Sequence, residues 1–368
     1  MIIFVSPWLL SVQQSSPALA QGGNSWSHTT TQDFNSCGPV LSNTSVTTAA
    51  GGEVRLTALI EDYFDETTLN STRWITGTGT GGNGIPPRIE NGVLLVNRSW
   101  ISSTTSITQT DLPVAVEGRV RFISPSQIPG IDGFVDVGLG DAANVNVTKS
   151  LDSNALFITD ANNVVMVNSY QPGYYPDTSG RQRETVTGFD WTQFHDIRIE
   201  VASNQVNYYV DGIFQRTHLL STSLTAIPLH LWFFSLNPNY EFAAEWLRLA
   251  RYPNSGQFTS CPIDTGATTS WGSLAWQGST PAGGAVTFET RSSTDALNWS
   301  TWESLGASNI VTSPAGRYLQ YRTTLTTADQ TLSPEIRQVV VTGAGNHHNA
   351  PQHRQFTGSG HRAHDSSD

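Results

Sequence analysis

His195-Asp196-Ile197-Arg198-Ile199-Glu200-Val201, a polar turn at Ser203-Asn204, then Val206-Asn207-Tyr208-Tyr209-Val210-Asp211-Gly212-Ile213-Phe214: this stretch decides the fold. Ile197, Ile199 and Val201 alternate with Asp196, Arg198 and Glu200, the period of a strand with one apolar side. Val206, Tyr208 and Val210 repeat the pattern. Asp211-Gly212 then supplies the pair whose positive φ a tight primed hairpin turn requires, before Ile213-Phe214 starts a third strand. Upstream, Val114, Val116, Val120 and Phe122 share one face of another alternating run. Downstream, Leu229-His230-Leu231-Trp232-Phe233-Phe234 is apolar on both faces, which suits a strand in the middle of a sandwich.

Residues 53–252 therefore read as one antiparallel β-sandwich, and Pro253-Asn254-Ser255-Gly256 marks its end. Beyond it, Trp271, Leu274, Trp276, Val286, Phe288, Tyr321, Ile336, Val339 and Val341 pick out a second, smaller β-sandwich over 257–343. Residues 21–52 read as a Thr/Ser/Asn-rich lead-in that adds at most one edge strand. The tail 344–368, with His347, His348, His353, His361 and His364, reads as disordered. Composition agrees with an all-β chain: of 368 residues only 13% are charged, Gly numbers 32, and 11 Trp, 10 Tyr and 15 Phe supply core volume.

The formal charge is −11, from 30 acidic against 19 basic residues, and Lys149 is the sole lysine. A surface that tracks phosphates needs clustered cations, so nucleic acid is excluded as a partner, and acidic polysaccharides and anionic lipid are disfavoured. Neutral glycans stay open. Residues 1–20, with Met1-Ile2-Ile3-Phe4-Val5, Trp8-Leu9-Leu10 and Ala18-Leu19-Ala20, read as a signal peptide, and the protein as secreted. No later stretch approaches the ~20 apolar residues of a membrane span. Cys37 and Cys261, the only cysteines, read in an exported protein as one disulfide.

Three segments in order carry a resemblance: Asp62-Tyr63-Phe64-Asp65-Glu66 through Leu69-Asn70 to Arg73-Trp74, then Ile89-Glu90-Asn91-Gly92-Val93-Leu94-Leu95, then the hairpin ending in Tyr208-Tyr209-Val210-Asp211-Gly212. The region is similar to the concanavalin A-like lectin/glucanase superfamily, specifically to laminarinase-type bacterial modules. That resemblance implies a jelly roll with a concave groove. The C-terminal region, with Trp299-Ser300-Thr301-Trp302 and Ser333-Pro334-Glu335-Ile336, resembles a small β-sandwich appended to secreted bacterial proteins.

Retaining glucanases of this superfamily carry two glutamates on one strand, spaced Glu-x-Asp-x-x-Glu or Glu-x-Asp-x-Glu, as nucleophile and general acid about 5 Å apart. Between Arg119 and Trp191 no such pair exists, and the strand Ala155-Leu156-Phe157-Ile158-Thr159 has no acid before Asp160. Asp132 and Asp136 are the best remaining carboxylates. Four residues apart on an extended strand they stand roughly 13 Å apart, too wide for glycosidase chemistry, but suited to sugar hydroxyls or a calcium ion. Sugar binding without chemistry needs flat aromatic faces for stacking; Trp100, Tyr174, Tyr175, Trp191 and Trp232 are the candidates. Core burial is the more ordinary role for an indole, and Trp74 and Trp246 read as core. Trp100, beside Arg98 and Ser99, and Tyr174-Tyr175, between Pro172 and Pro176, are the best choices for exposure. No cofactor is expected; calcium is the one ion the loops leave open.

The sequence thus points to a secreted, non-catalytic carbohydrate-binding or surface-adhesion protein whose ligand sits in the concave groove. Its rivals are a glycoside hydrolase with an atypical acid pair and a structural spacer of the cell envelope.

Overall fold

The computed structural model describes residues 25–78, 84–122, 135–141, 153–159, 164–172, 178–235, 241–306 and 308–344. The proposed signal peptide 1–20, Asp132, Tyr174, Tyr175 and almost all of the His-containing tail lie outside them. Among the described residues no helix is long and apolar enough to cross a membrane.

Two antiparallel sheets face each other to form the jelly roll. The first runs Ile213–Leu219, Gln205–Val210, His195–Val201, Val114–Arg121, Glu241–Ala250, Val93–Asn97 and Ile85–Glu90, with Ile60–Asp62 also on Glu241–Ala250. The second runs Arg181–Thr185, Val165–Tyr170, Asn154–Thr159, Val135–Gly140, Leu229–Ser235, Ser99–Ile107 and Trp74–Thr78. The alternation expected from the sequence sets which side chains meet between them: Val114, Val116, Val120, Phe122, Ile197, Ile199, Val206, Tyr208 and Val210 all enter one core. Asp211 and Gly212 adopt φ of 48° and 74° and join Val210 to Ile213, as their types require. Leu229–Ser235 lies inside its sheet, between Val135–Gly140 and Ser99–Ile107, which explains its two apolar faces. Trp74 is core, its indole Nε1 donating to Asp62 Oδ2 at 2.7 Å.

The smaller sandwich is built from both ends of the chain. Ser25–His28, Thr44–Thr47 and Glu53–Leu56 join Trp271–Ser279 and Glu335–Gly343 in one sheet, and Val40–Ser42 joins Ser255–Thr259 in the other. The lead-in therefore supplies several strands rather than one edge strand, and Glu53–Leu56 belongs to this sandwich rather than to the jelly roll. Phe34, on the short helix Thr31–Asn35, is fully buried and meets Phe258 edge to face at 6.0 Å. Cys37 and Cys261 form a disulfide with Cα atoms 5.6 Å apart. The jelly roll is thus an insertion. Its chain enters and leaves side by side, where Leu59 N–H donates to Leu249 O at 3.1 Å.

The seam between the sandwiches is charged. Ala115 and Ala250, from the outer face of the eight-stranded sheet, pack into the smaller core. Beside them stand Glu117 and Arg248, on the same two strands, and Arg198 on the adjacent His195–Val201, all buried. Glu117 accepts from Arg198 Nη1, from Arg248 Nη1 at 3.2 Å and from the Tyr252 hydroxyl at 3.3 Å. From the smaller sandwich come Arg55, paired with Glu53 at 3.1 Å and Glu335 at 3.3 Å, and Thr331, which accepts two bonds from Arg198. Burial alone would raise the Glu117 carboxyl, but the guanidinium groups of Arg198, Arg248 and Arg55 outweigh it and hold the group below its ordinary range.

Candidate functional site

The seven-stranded sheet turns Val137, Leu139, Phe157, Val167 and Phe233 into the core, so period two places Asp136, Gly138, Leu156, Ile158, Asn168, Trp232 and Phe234 on its other side. There Trp100, Leu156, Ile158, Trp232 and Phe234 form a separate apolar cluster. Three rings make a ladder: Trp100 stacks on Trp232 with centroids 5.6 Å apart and planes 26° apart, and Trp232 stacks on Phe234 at 6.0 Å and 18°. Gly77 makes room for this. A Cβ there would stand 2.4 Å from Trp100 Cζ2, so only glycine lets the indole lie against the neighbouring strand.

Asp136 sits in the middle of the sheet, opposite Ile158 on one neighbour and Phe234 on the other. These apolar flanks set its chemistry: burial pushes the carboxyl up to about 7, against the pull of the Arg183 guanidinium. Gly138, next on the same face, has φ of 148°, and a Cβ there would lie 2.2 Å from Ala155 O, so this position takes no functional side chain. Further along runs a polar row. Asn168 Nδ2 donates to Asn154 Oδ1 at 2.6 Å, and Arg183 Nε donates to Asn168 Oδ1 at 3.0 Å. Among the described residues of this face, Asp136 is the one carboxylate.

The structure brings Trp100, Asp136 and Trp232 to one face, and Trp191 to another place. Trp191 lies in the main core beside Phe122, Phe157 and His195. Trp100 is not the exposed platform that its polar neighbours suggest: it is 8% exposed, folded onto Gly77 and Trp232. Trp232 is also buried, and its indole N–H has no acceptor among the described residues, which leaves a buried donor seeking one. Asp132, Tyr174 and Tyr175 lie outside the described residues. No group of three or more His, Cys, Asp or Glu side chains able to hold a metal occurs among the described residues.

Sequence reading missed the Asn154, Asn168 and Arg183 row, although the alternation of Val165 and Val167 with Met166 and Asn168 signals it. It also misplaced Trp246. A bulge pairs Arg119 with Trp246 but Val120 with Ala244, so the extra residue, Glu245, reverses the alternation. Phe242, Ala244, Leu247 and Leu249 enter the core while Trp246 turns out, partly exposed.

No protein-family model matches the sequence, and a search of curated proteins gives no match. Among solved structures, the chain is similar to the endo-β-1,3-glucanase from Pyrococcus furiosus at 16% identity and a TM-score of 0.41, over 59% of this chain and 99% of that one. It is similar to the catalytic domain of an endo-1,3-β-glucanase (laminarinase) from Thermotoga petrophila at 14% identity and a TM-score of 0.39, over 52% and 96% of the two chains. SCLam, a non-specific endo-β-1,3(4)-glucanase from family GH16, gives 11% and 0.41, over 57% and 95%. The likeness is one of fold alone; the chain's own topology is that of facing antiparallel sheets.

Proposed function

We propose that this chain is a secreted protein that holds a neutral polysaccharide against the outer face of the seven-stranded sheet without cleaving it. The observation that supports this most is the make-up of that face. A single partly exposed carboxylate beside an amide row, over a floor of buried stacked indoles, can meet the hydroxyls of a pyranose. A two-carboxylate hydrolysis instead needs a partner about 5 Å away for retention or about 6.5–9.5 Å away for inversion. Gly138 stands where a second acid on this strand face would follow Asp136. Export belongs to the reading through residues 1–20, and the sequence resemblance to laminarinase-type modules puts β-1,3-glucan first among the ligands to try.

Affinity electrophoresis through gels containing laminarin, lichenan, xylan or mannan tests it. At least one polysaccharide is expected to retard the protein, and Asp136→Asn and Trp100→Ala are expected to weaken the retardation. Unchanged mobility across the panel would refute binding and favour the spacer.

One observation favours a second reading. A carboxyl lifted to about 7 is protonated near neutrality, as a general acid must be. Release of reducing ends that disappears in Asp136→Asn would establish a hydrolase in place of a binder.

A further inference from the structure

The charged seam lines a half-open cavity of about 620 Å³, within the range of small-molecule sites and at a domain junction, where such sites concentrate. The jelly roll contributes Tyr63, Arg119, Trp246 and Arg248 to its wall, and the smaller sandwich Arg55 and Arg337. We propose that this cavity binds a small neutral polyhydroxylated ligand of the mono- or disaccharide class. The site lies on the opposite sheet of the jelly roll from Asp136 and Trp100, so it stands or falls separately from the function proposed above.

Three observations carry the inference. First, the charges balance: five arginines line the cavity against six acidic residues, so the wall calls for neither an anion nor a cation. Second, the wall sets donors beside acceptors: Arg119 pairs with Glu245 at 2.8 Å and Asp196 at 3.4 Å, an arrangement that vicinal hydroxyls need. Third, there is an aromatic surface. Trp246, turned out of the core by the bulge at Glu245, is partly exposed in the wall with the Arg248 guanidinium 4.7 Å from its ring centroid. An indole backed by a cation and ringed by paired donors and acceptors is the chemistry that recognises a sugar ring.

The test is titration of the full-length protein with glucose, galactose, mannose, cellobiose, laminaribiose and maltose, followed by tryptophan fluorescence and isothermal calorimetry. At least one sugar is expected to bind saturably with one site per chain. Affinity should fall at least ~10-fold in Trp246→Ala, the order of a lost aromatic platform, and stay unchanged in Trp100→Ala. Arg119→Gln, a partly exposed change that spares the core, should also weaken binding and serves if Trp246→Ala does not fold. No saturable binding by any of these sugars would overturn the proposal, as would binding that survives both seam variants or disappears in Trp100→Ala.

Discussion

Glu117→Gln offers the sharpest test of the seam. The side chain is 5% exposed and accepts from Arg198, Arg248 and Tyr252, so the amide keeps its shape while removing the charge that two buried guanidinium groups face. Breaking a buried pair from one side costs about 3–5 kcal/mol, because the remaining charge stays buried. Arg198 retains Glu200 at 2.9 Å and Arg248 retains Glu53 at 3.4 Å, which places the expected loss near the lower limit, about 3 kcal/mol. Urea unfolding at pH 7, followed by far-ultraviolet circular dichroism and by tryptophan fluorescence, measures it; coincident curves justify a two-state reading. A partly exposed pair is the control. Glu289→Gln, which removes the partner of Arg322, should cost no more than ~1 kcal/mol. The pH dependence gives a second check. Glu117 titrates lower in the folded protein than in the unfolded chain, so its contribution is complete above its unfolded value of 4.5 and is lost as pH falls through the lowered folded value. The gap between wild type and Glu117→Gln should therefore narrow on acidification below 4.5. A gap under ~1 kcal/mol at pH 7, or one that acid leaves unchanged, would refute the argument.

Asp136 has the opposite sign. Its folded value of about 7 exceeds the unfolded 3.8, so ionisation penalises the fold increasingly between those values and fully above 7. Asp136→Asn should raise the melting temperature at pH 8 and leave it unchanged below pH ~4, read by calorimetry across that range; equal shifts at both would contradict the burial argument. Gly77→Ala should force the Trp100 indole off the sheet, costing about 1–3 kcal/mol and altering near-ultraviolet circular dichroism, whereas an unaltered spectrum would mean the ladder tolerates a methyl. Replacing both Cys37 and Cys261 by Ser opens a link across a sequence separation of 224 and should cost about 2–5 kcal/mol; equal stability of wild type with and without reductant would count against that.

Much of the jelly roll was legible because its strands obey a simple alternation. Ile197, Ile199, Val206 and Tyr208 entered the core on the faces the sequence assigned, and Asp211-Gly212 turned as those residue types must. What alternation cannot tell is the covering of the other face. Glu117, Arg198 and Arg248 look like solvent-facing positions, yet a second sandwich buries them. Glu53 and Arg55 hid the strand Glu53–Leu56 in the same way, since its apolar half, Val54 and Leu56, serves a different core from the sequence that follows. Trp246 was misread because one bulge shifts the alternation, and no local residue type announces it. Trp100 was misread through its neighbours. Their polarity describes the chain around it, whereas its burial depends on Gly77, which lies across the sheet.

The nested connectivity has a consequence for biosynthesis. Arg55 emerges from the ribosome long before Glu335, its strand partner 280 positions later, and at ~5–20 residues per second the wait lasts roughly 15–60 s. During that interval the jelly roll can close on itself, while the early strands of the smaller sandwich stay without their mates. The last strand among the described residues, Glu335–Gly343, completes the smaller sandwich, so a chain truncated before it would keep a folded insert and lose its frame.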